Sequence, residues 1–171
     1  MSRAFQLFQL APQFDVDEEQ LSRQYRALAA QFHPDRFAAA SAFEQKQAVM
    51  MTAALNQAYE CLSHPLNRAA ELLQMQGIDA DAPEHTQFPP EFLMQQMQWR
   101  EALMDAQAAR DEAAMARLDE EIAREQQQLY GQLRGYFAAE QYEQAAQAVR
   151  QGRFLDKMRQ EIRKAAGGLA G

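Results

Sequence analysis

The chain has 171 residues and a formal net charge of −7. That acidic balance argues against DNA or RNA as its main partner, because neutralising phosphates requires a basic face. An apolar fraction of 47% is material enough for a core, and its bias toward Ala, Leu, Met and Phe over Val and Ile excludes a sheet-rich fold and predicts an all-α protein of one domain or two small ones.

Ala4 to Leu10 reads as a short helix with Phe5 and Phe8 on one side, ended at Ala11-Pro12. Asp17 is placed to cap the next helix, with Gln20 at the N3 position of a capping box. Leu21, Tyr25, Leu28 and Phe32 then recur at intervals of three or four, which is one helix face. Pro34 removes a backbone donor and pushes His33 out of helical geometry, so this helix stops there. After a short Ala-rich connection, a second pattern starts near Ser41 and runs through Phe43, Val49 or Met50, Ala53, Ala54, Tyr59 and Leu62. His64-Pro65 interrupts it, and Leu66 to Met75 forms a further short helix with Gly77 at its C′ position. Two antiparallel helices closed by a small N-terminal one give a compact unit over residues 1–76.

Residues 77–90 read as a linker, since Asp79 to Pro90 shows little periodicity. Residues 91–171 carry three helical patterns. The first runs from about Pro90 to Ala108. The second starts near Asp111 and places Met115, Leu118, Ile122, Leu129 and Leu133 on one stripe, with Gly131 and Gly135 weakening its end. The third starts near Glu140, with Tyr142, Ala145, Val149, Phe154, Met158 and Ile162, and the tail from Ala165 to Gly171 is expected to fray. A three-helix bundle is the simplest way to bury three such stripes.

His33-Pro34-Asp35 stands at the tip of the N-terminal helix hairpin. Taken alone it is a helix stop. A rigid polar tripeptide at a hairpin tip is also a poor place for core packing and a good place to display groups to another protein. Its surroundings are Tyr25, Leu28 and Phe32 before it, Arg36-Phe37 after it, Asn56-Gln57-Ala58-Tyr59 in the next helix and Pro65-Leu66-Asn67-Arg68 beyond. Together these resemble the J-domain of DnaJ-type co-chaperones, from Ala4 to roughly Met75. The resemblance implies that His33, Pro34 and Asp35, with Tyr25 and the basic residues Arg23 and Arg26 of the preceding helix, engage an ATP-bound DnaK-type chaperone and promote hydrolysis there. The basic face is thin, since Ala29, Ala30 and Gln31 follow the two arginines.

No Gly/Phe-rich segment and no repeated Cys-x-x-Cys follows, so the general DnaJ architecture is not expected. His64-Pro65-Leu66 with Arg68-Ala69 and Leu72-Leu73, Phe92-Leu93-Met94 with Arg100-Glu101, and Arg153-Phe154-Leu155-Asp156-Lys157 resemble HscB-type co-chaperones of iron–sulfur cluster biogenesis over nearly the whole chain. The helix after Pro90 carries an independent signal. At about 100° per residue, Phe92, Trp99 and Leu103 cluster on one side and Leu93, Met97 and Met104 roughly 120° away, with Met94 further round, an apolar arc of more than about 200° where a bundle helix needs little over ~100°. Either two neighbours cover it or part stays exposed for docking. The resemblance selects docking. It implies that Leu93, Met94, Met97, Arg100, Glu101 and Phe154 bind the cluster scaffold protein IscU, while the hairpin tip serves the specialised chaperone HscA. Met97 stands where other members carry Leu, and Gln98 where they carry an acidic residue.

No catalytic constellation emerges, and no cofactor or metal is expected. Of the three histidines, His64 precedes a proline at a helix junction and reads as structural, and His85 reads as a solvated linker residue. Cys61 cannot alone build a disulfide framework or a conventional zinc site, and fits a reducing compartment. There is no Gly-rich phosphate loop, so ATP is hydrolysed by the partner. The acidic run from Asp111 to Glu125 is mixed with Arg117 and Arg124 at helical spacing, as in a solvated helix face. No apolar run reaches the roughly 18 residues of a membrane span, and the N-terminus is too short and polar for a secretory signal, so the expected location is cytoplasmic. The expected function is that of a co-chaperone delivering IscU to HscA. The alternatives are a J-domain co-chaperone with a different client, or a non-catalytic helical adaptor whose tripeptide is only a turn.

Overall fold

The computed structural model describes residues 2–82 and 87–170, which leaves His85 outside the described residues. Described residues form seven α-helices and one 3-10 turn, with no strand among them. The chain divides into two compact units, Met1–Ile78 and Asp79–Gly171.

The first unit contains α1 (Arg3–Leu7), α2 (Glu18–Gln31), the 3-10 turn Pro34–Phe37, α3 (Ala42–Ser63) and α4 (Pro65–Met75). α1 is shorter than its apolar spacing predicts. Gln9 adopts the left-handed region at φ 55°, and Leu10 N donates back to the Phe5 carbonyl at 2.9 Å, which ends the helix before Leu10. Asp17 caps α2 by accepting from Gln20 N at 3.1 Å, and Ser41 caps α3 by accepting from Glu44 N at 3.2 Å. Caps of this kind stabilise a helix by about 1 kcal/mol each. His64 caps α4 through Nδ1, which accepts from Leu66 N at 3.2 Å, while Pro65 occupies the first helical position where no amide donor is missed. Phe5, Phe8, Leu21, Leu55, Leu62, Leu66 and Leu73 form the core of this unit.

α3 departs from expectation in which face it buries. Ala48, Leu55, Ala58 and Leu62 point inward, whereas Phe43, Val49 and Met50 are exposed, as is Ala53. The helix carries apolar residues on opposite sides, so spacing alone did not identify the buried stripe. Contact with α1, α2 and α4 falls on the side of Leu55 and Leu62, and α3 outreaches the short helices that cover it.

The second unit is a three-helix bundle of α5 (Pro90–Ala108), α6 (Glu112–Ala138) and α7 (Tyr142–Ala170). α6 buries Met115, Leu118, Ile122, Gln126, Leu129 and Leu133, a stripe stepping by three and four. From α7 come Ala145, Val149, Leu155, Met158 and Ile162, and from α5 Trp99, Leu103 and Ala106. The polar member, Gln126, is held by α7: its amide donates to Asp156 and accepts from Arg159 Nη1 at 3.0 Å. Arg159 also meets both carboxylate oxygens of Asp119, at 2.9 and 3.2 Å, and that bonding raises its pKa above the ordinary arginine value. Gly131 and Gly135 do not end α6, which continues to Ala138 because its buried stripe outweighs a propensity cost of about 1 kcal/mol per glycine. The tail expected to fray is helical to Ala170, with Ile162 buried and Ala165, Ala166 and Leu169 partly buried. None of the helices is long and apolar enough to cross a membrane among the described residues.

Candidate functional site

In the first unit, His33 is the hinge of the hairpin tip. Its backbone is extended at φ −60° and ψ 132°, as the residue before a proline must be, and Pro34 opens the 3-10 turn. The His33 ring faces back onto this turn: Nδ1 accepts from Asp35 N at 3.2 Å, and Arg36 N donates to the His33 carbonyl at 3.0 Å. His33 therefore holds the loop as an acceptor, through its ring Nδ1 and its backbone carbonyl. The Asp35 side chain is 94% exposed, 3.6 Å from His33 Nδ1. Gln45 Nε2 donates to the carbonyls of Ala38 and Ala40 at 3.1 and 3.3 Å, which ties the connection to the first turn of α3. Thr52 Oγ1 donates to the Phe32 carbonyl at 3.2 Å and so fixes the other side of the tip. The tripeptide is thus a braced display in which the carboxylate projects into solvent.

Arg23 and Arg26 are exposed on α2. Tyr25 lies between them but turns inward. Its ring stacks on Tyr59 at 4.2 Å between centroids and meets Phe8 edge-on at 6.4 Å, while its hydroxyl donates to Asn56 Oδ1 at 2.5 Å. These contacts join α2 to α3. Arg36, one residue past the tripeptide, is a further exposed cation. Its place in the sequence carries no distinguishing signal, since a cation in a turn is ordinarily only solvated.

In the second unit, the wide apolar arc of α5 splits in two. Trp99 and Leu103 are buried, and Phe92 is partly so. Leu93, Met94, Met97 and Met104 are 44%, 62%, 72% and 68% exposed. α7 adds an aromatic side chain: Phe154, partly buried, meets the Phe92 ring edge-on at 5.8 Å. Arg100 lies over the Phe154 ring, 5.6 Å from its centre, and its Nη1 pairs with Glu161 at 3.1 Å. The structure therefore brings Phe154 to Arg100, next to the exposed side chains of α5, and leaves Glu101 solvated beside them. Met104 was grouped with Leu93 and Met97 in sequence but not assigned to the site, although the shared helical face is a sufficient signal. Arg153 neighbours Phe154 in sequence but serves the fold, meeting both carboxylate oxygens of Asp81 at 3.1 and 3.0 Å.

Among the described residues, no group of three His, Cys, Asp or Glu is placed to hold a metal ion. Cys61 is partly buried and its thiol donates to Glu71 Oε2 at 3.7 Å.

Comparison with known proteins follows this division. The family model described as the DnaJ domain matches residues 4–70, and the one described as the HSCB C-terminal oligomerisation domain matches residues 88–163. The chain is 60% identical over 165 residues to a co-chaperone protein HscB homolog of Neisseria meningitidis, covering 96% of this chain and 99% of that protein. Its structure is similar to chaperone HscB from Vibrio cholerae, with a TM-score of 0.85 and 38% identity over 98% of this chain and 99% of the other. The human co-chaperone protein HscB gives a TM-score of 0.88 with 25% identity, covering 95% of this chain and 81% of that one.

Proposed function

The chain belongs to the HscB family of co-chaperones, non-catalytic proteins of iron–sulfur cluster assembly that carry an N-terminal DnaJ domain, and from that premise we propose a division of labour between its two units. A J-domain implies an Hsp70-type partner. In this reading the partner is the specialised chaperone HscA, engaged by His33, Pro34 and Asp35 with Arg23 and Arg26 alongside. The C-terminal bundle receives the scaffold protein IscU on Leu93, Met94, Met97, Arg100, Glu101 and Phe154. The setting is the bacterial cytoplasm.

The observation that carries the reading is the divided apolar arc of α5. One helix buries Trp99 and Leu103 while leaving Leu93, Met94 and Met97 in solvent. Exposing three large apolar side chains side by side, at roughly 25 cal/mol per Å² of surface kept wet, is a cost that a docking surface recovers on binding. Methionines suit such a surface, since their flexible thioethers adapt to a partner's shape. At the other end of the chain, the exposed Asp35 carboxylate is able to accept charge-assisted hydrogen bonds from a partner arginine. Pro34 and the His33 acceptor restrict the loop beforehand and so reduce the ordering cost of docking. Tyr25 acts through the hairpin, holding α2 against α3 so that the tip keeps its shape.

The mechanism needs no reacting group on this chain. ATP is bound and cleaved by the chaperone. The co-chaperone contributes differential affinity, favouring the chaperone state in which hydrolysis proceeds, and raises the local concentration of scaffold by holding both proteins at once. The test is the steady-state ATPase rate of HscA with this protein, with IscU, and with both. Stimulation by the pair greater than the product of the separate effects is the expected result. An unchanged rate in every mixture would leave the adaptor reading in its place.

A further inference from the structure

The apolar stripe of α5 does not stop at Met97. Leu93, Met97 and Met104 fall within about 40° of one another at ~100° per residue, and Met104 is 68% exposed. Beside Met104 an open groove of about 550 Å³ runs between the C-terminal halves of α5 and α7, lined among others by Arg100, Leu103, Met104, Glu161, Lys164 and Gly168. Gly168 leaves it unfilled: a Cβ added there meets nothing within 4 Å. Arg100 and Glu161 neutralise each other across the groove at 3.1 Å. Lys164 is exposed and has no ion pair among the described residues, so the groove carries one uncompensated positive charge. Arg100 belongs both to this groove and to the patch around Phe154, so the two are one continuous surface.

We propose that this groove is the second half of the scaffold-binding surface. It receives an apolar side chain of the scaffold protein against Met104 and Leu103, while a neighbouring carboxylate of the scaffold pairs with Lys164. The proposal rests on the reading of the α5 patch given above and extends it to the other end of the helix. Continuity with that patch argues for the same occupant, and the lone cation selects an acidic neighbour for the apolar plug. Lys164 then governs orientation and salt dependence, and Met104 governs the lifetime of the complex.

The experiment measures by calorimetry the binding of cluster-free scaffold protein to the full-length chain and to four variants. Three address the groove: Met104→Ala, Lys164→Glu, and Gly168→Leu, which places a side chain in the open space. The fourth replaces Leu93, Met97 and Phe154 together by Ala. Met104, Lys164 and Gly168 are exposed or open positions, so circular dichroism and melting should match the parent. Each groove variant should weaken binding by about tenfold, the scale of a well-placed contact. Lys164→Glu should also flatten the loss of affinity on raising salt. If the fourth variant loses binding while the groove variants stay within twofold, the groove is overturned and the patch stands. If all four bind like the parent, both readings fall. Concentration-dependent self-association abolished by Gly168→Leu would overturn the proposal in favour of a second copy of this chain as occupant.

Discussion

Arg68 and Phe14 are joined twice. The Arg68 Nε donates to the Phe14 carbonyl at 2.5 Å, and the guanidinium lies 5.2 Å from the centre of the Phe14 ring. Its Nη1 donates to the Leu62 carbonyl at 2.7 Å, in the last turn of α3 where no helical donor remains. A single side chain from α4 thus fastens the α1–α2 loop and the end of α3. Burial lowers its pKa, with Glu18 and Asp15 opposing the shift. Replacement of Arg68 by Ala strands two carbonyls and removes the packing on Phe14. We expect a loss of about 3 kcal/mol in the stability of the first unit. Urea denaturation of the full-length protein, followed by a probe in α2 or α3, checks it.

Asp35 makes no contact that the fold depends on, since its side chain is 94% exposed. Asp35→Ala should leave the melting temperature within about 1 °C, in line with the ±0.5 kcal/mol of ordinary surface changes. The same variant should abolish stimulation of the HscA ATPase and leave scaffold affinity intact. Residual stimulation above half of the parental value would contradict the role given to this carboxylate.

Leu93, Met97 and Phe154 should behave in the opposite way. Their joint replacement by Ala is expected to weaken scaffold binding at least about a hundredfold, because each alanine truncation at the centre of an interface removes on the order of 1 kcal/mol or more. Phe154 also packs on Phe92, so about 1 kcal/mol of bundle stability is lost with it. Stimulation of the chaperone in the absence of scaffold should persist. Titration calorimetry paired with the ATPase assay separates these outcomes.

Asp119 and Arg159 form the polar seam between α6 and α7 that also holds Gln126. Asp119→Ala leaves a cation with half of its partners, and we expect the bundle to lose about 1–2 kcal/mol. Thermal melts at low and high salt are the measurement. The deficit should shrink little with salt, since the pair is largely shielded from solvent.

Most of the fold could be read from the chain because its punctuation is chemical. Asp17 with Gln20, Pro34, Pro65 and Pro90 mark boundaries that the structure reproduces. α3 was harder. Phe43, Val49 and Met50 repeat with the same spacing as a core stripe, and only the lengths of the neighbouring helices decide which side is covered. The C-terminal tail, expected to fray, is helical to Ala170, and the partly buried Ala165, Ala166 and Leu169 that hold it show no stripe distinct enough to read from sequence. On α5, the over-wide arc was visible in the sequence, but which part is buried depends on where α6 and α7 lie. The exposure of Met104 depends on the same packing. The acceptor role of the His33 ring depends on a rotamer, and no residue pattern encodes that.

Trp99 is the chain's only tryptophan, and it is buried in the bundle at 3% exposure. Its indole is therefore a native optical reporter of one half of the molecule. Loosening of the bundle will shift its emission to the red as water reaches the ring, and the first unit, whose stacked pair is Tyr25 and Tyr59, holds no indole. Excitation at the red edge of the absorption band can thus follow the second unit, with no dye or label attached.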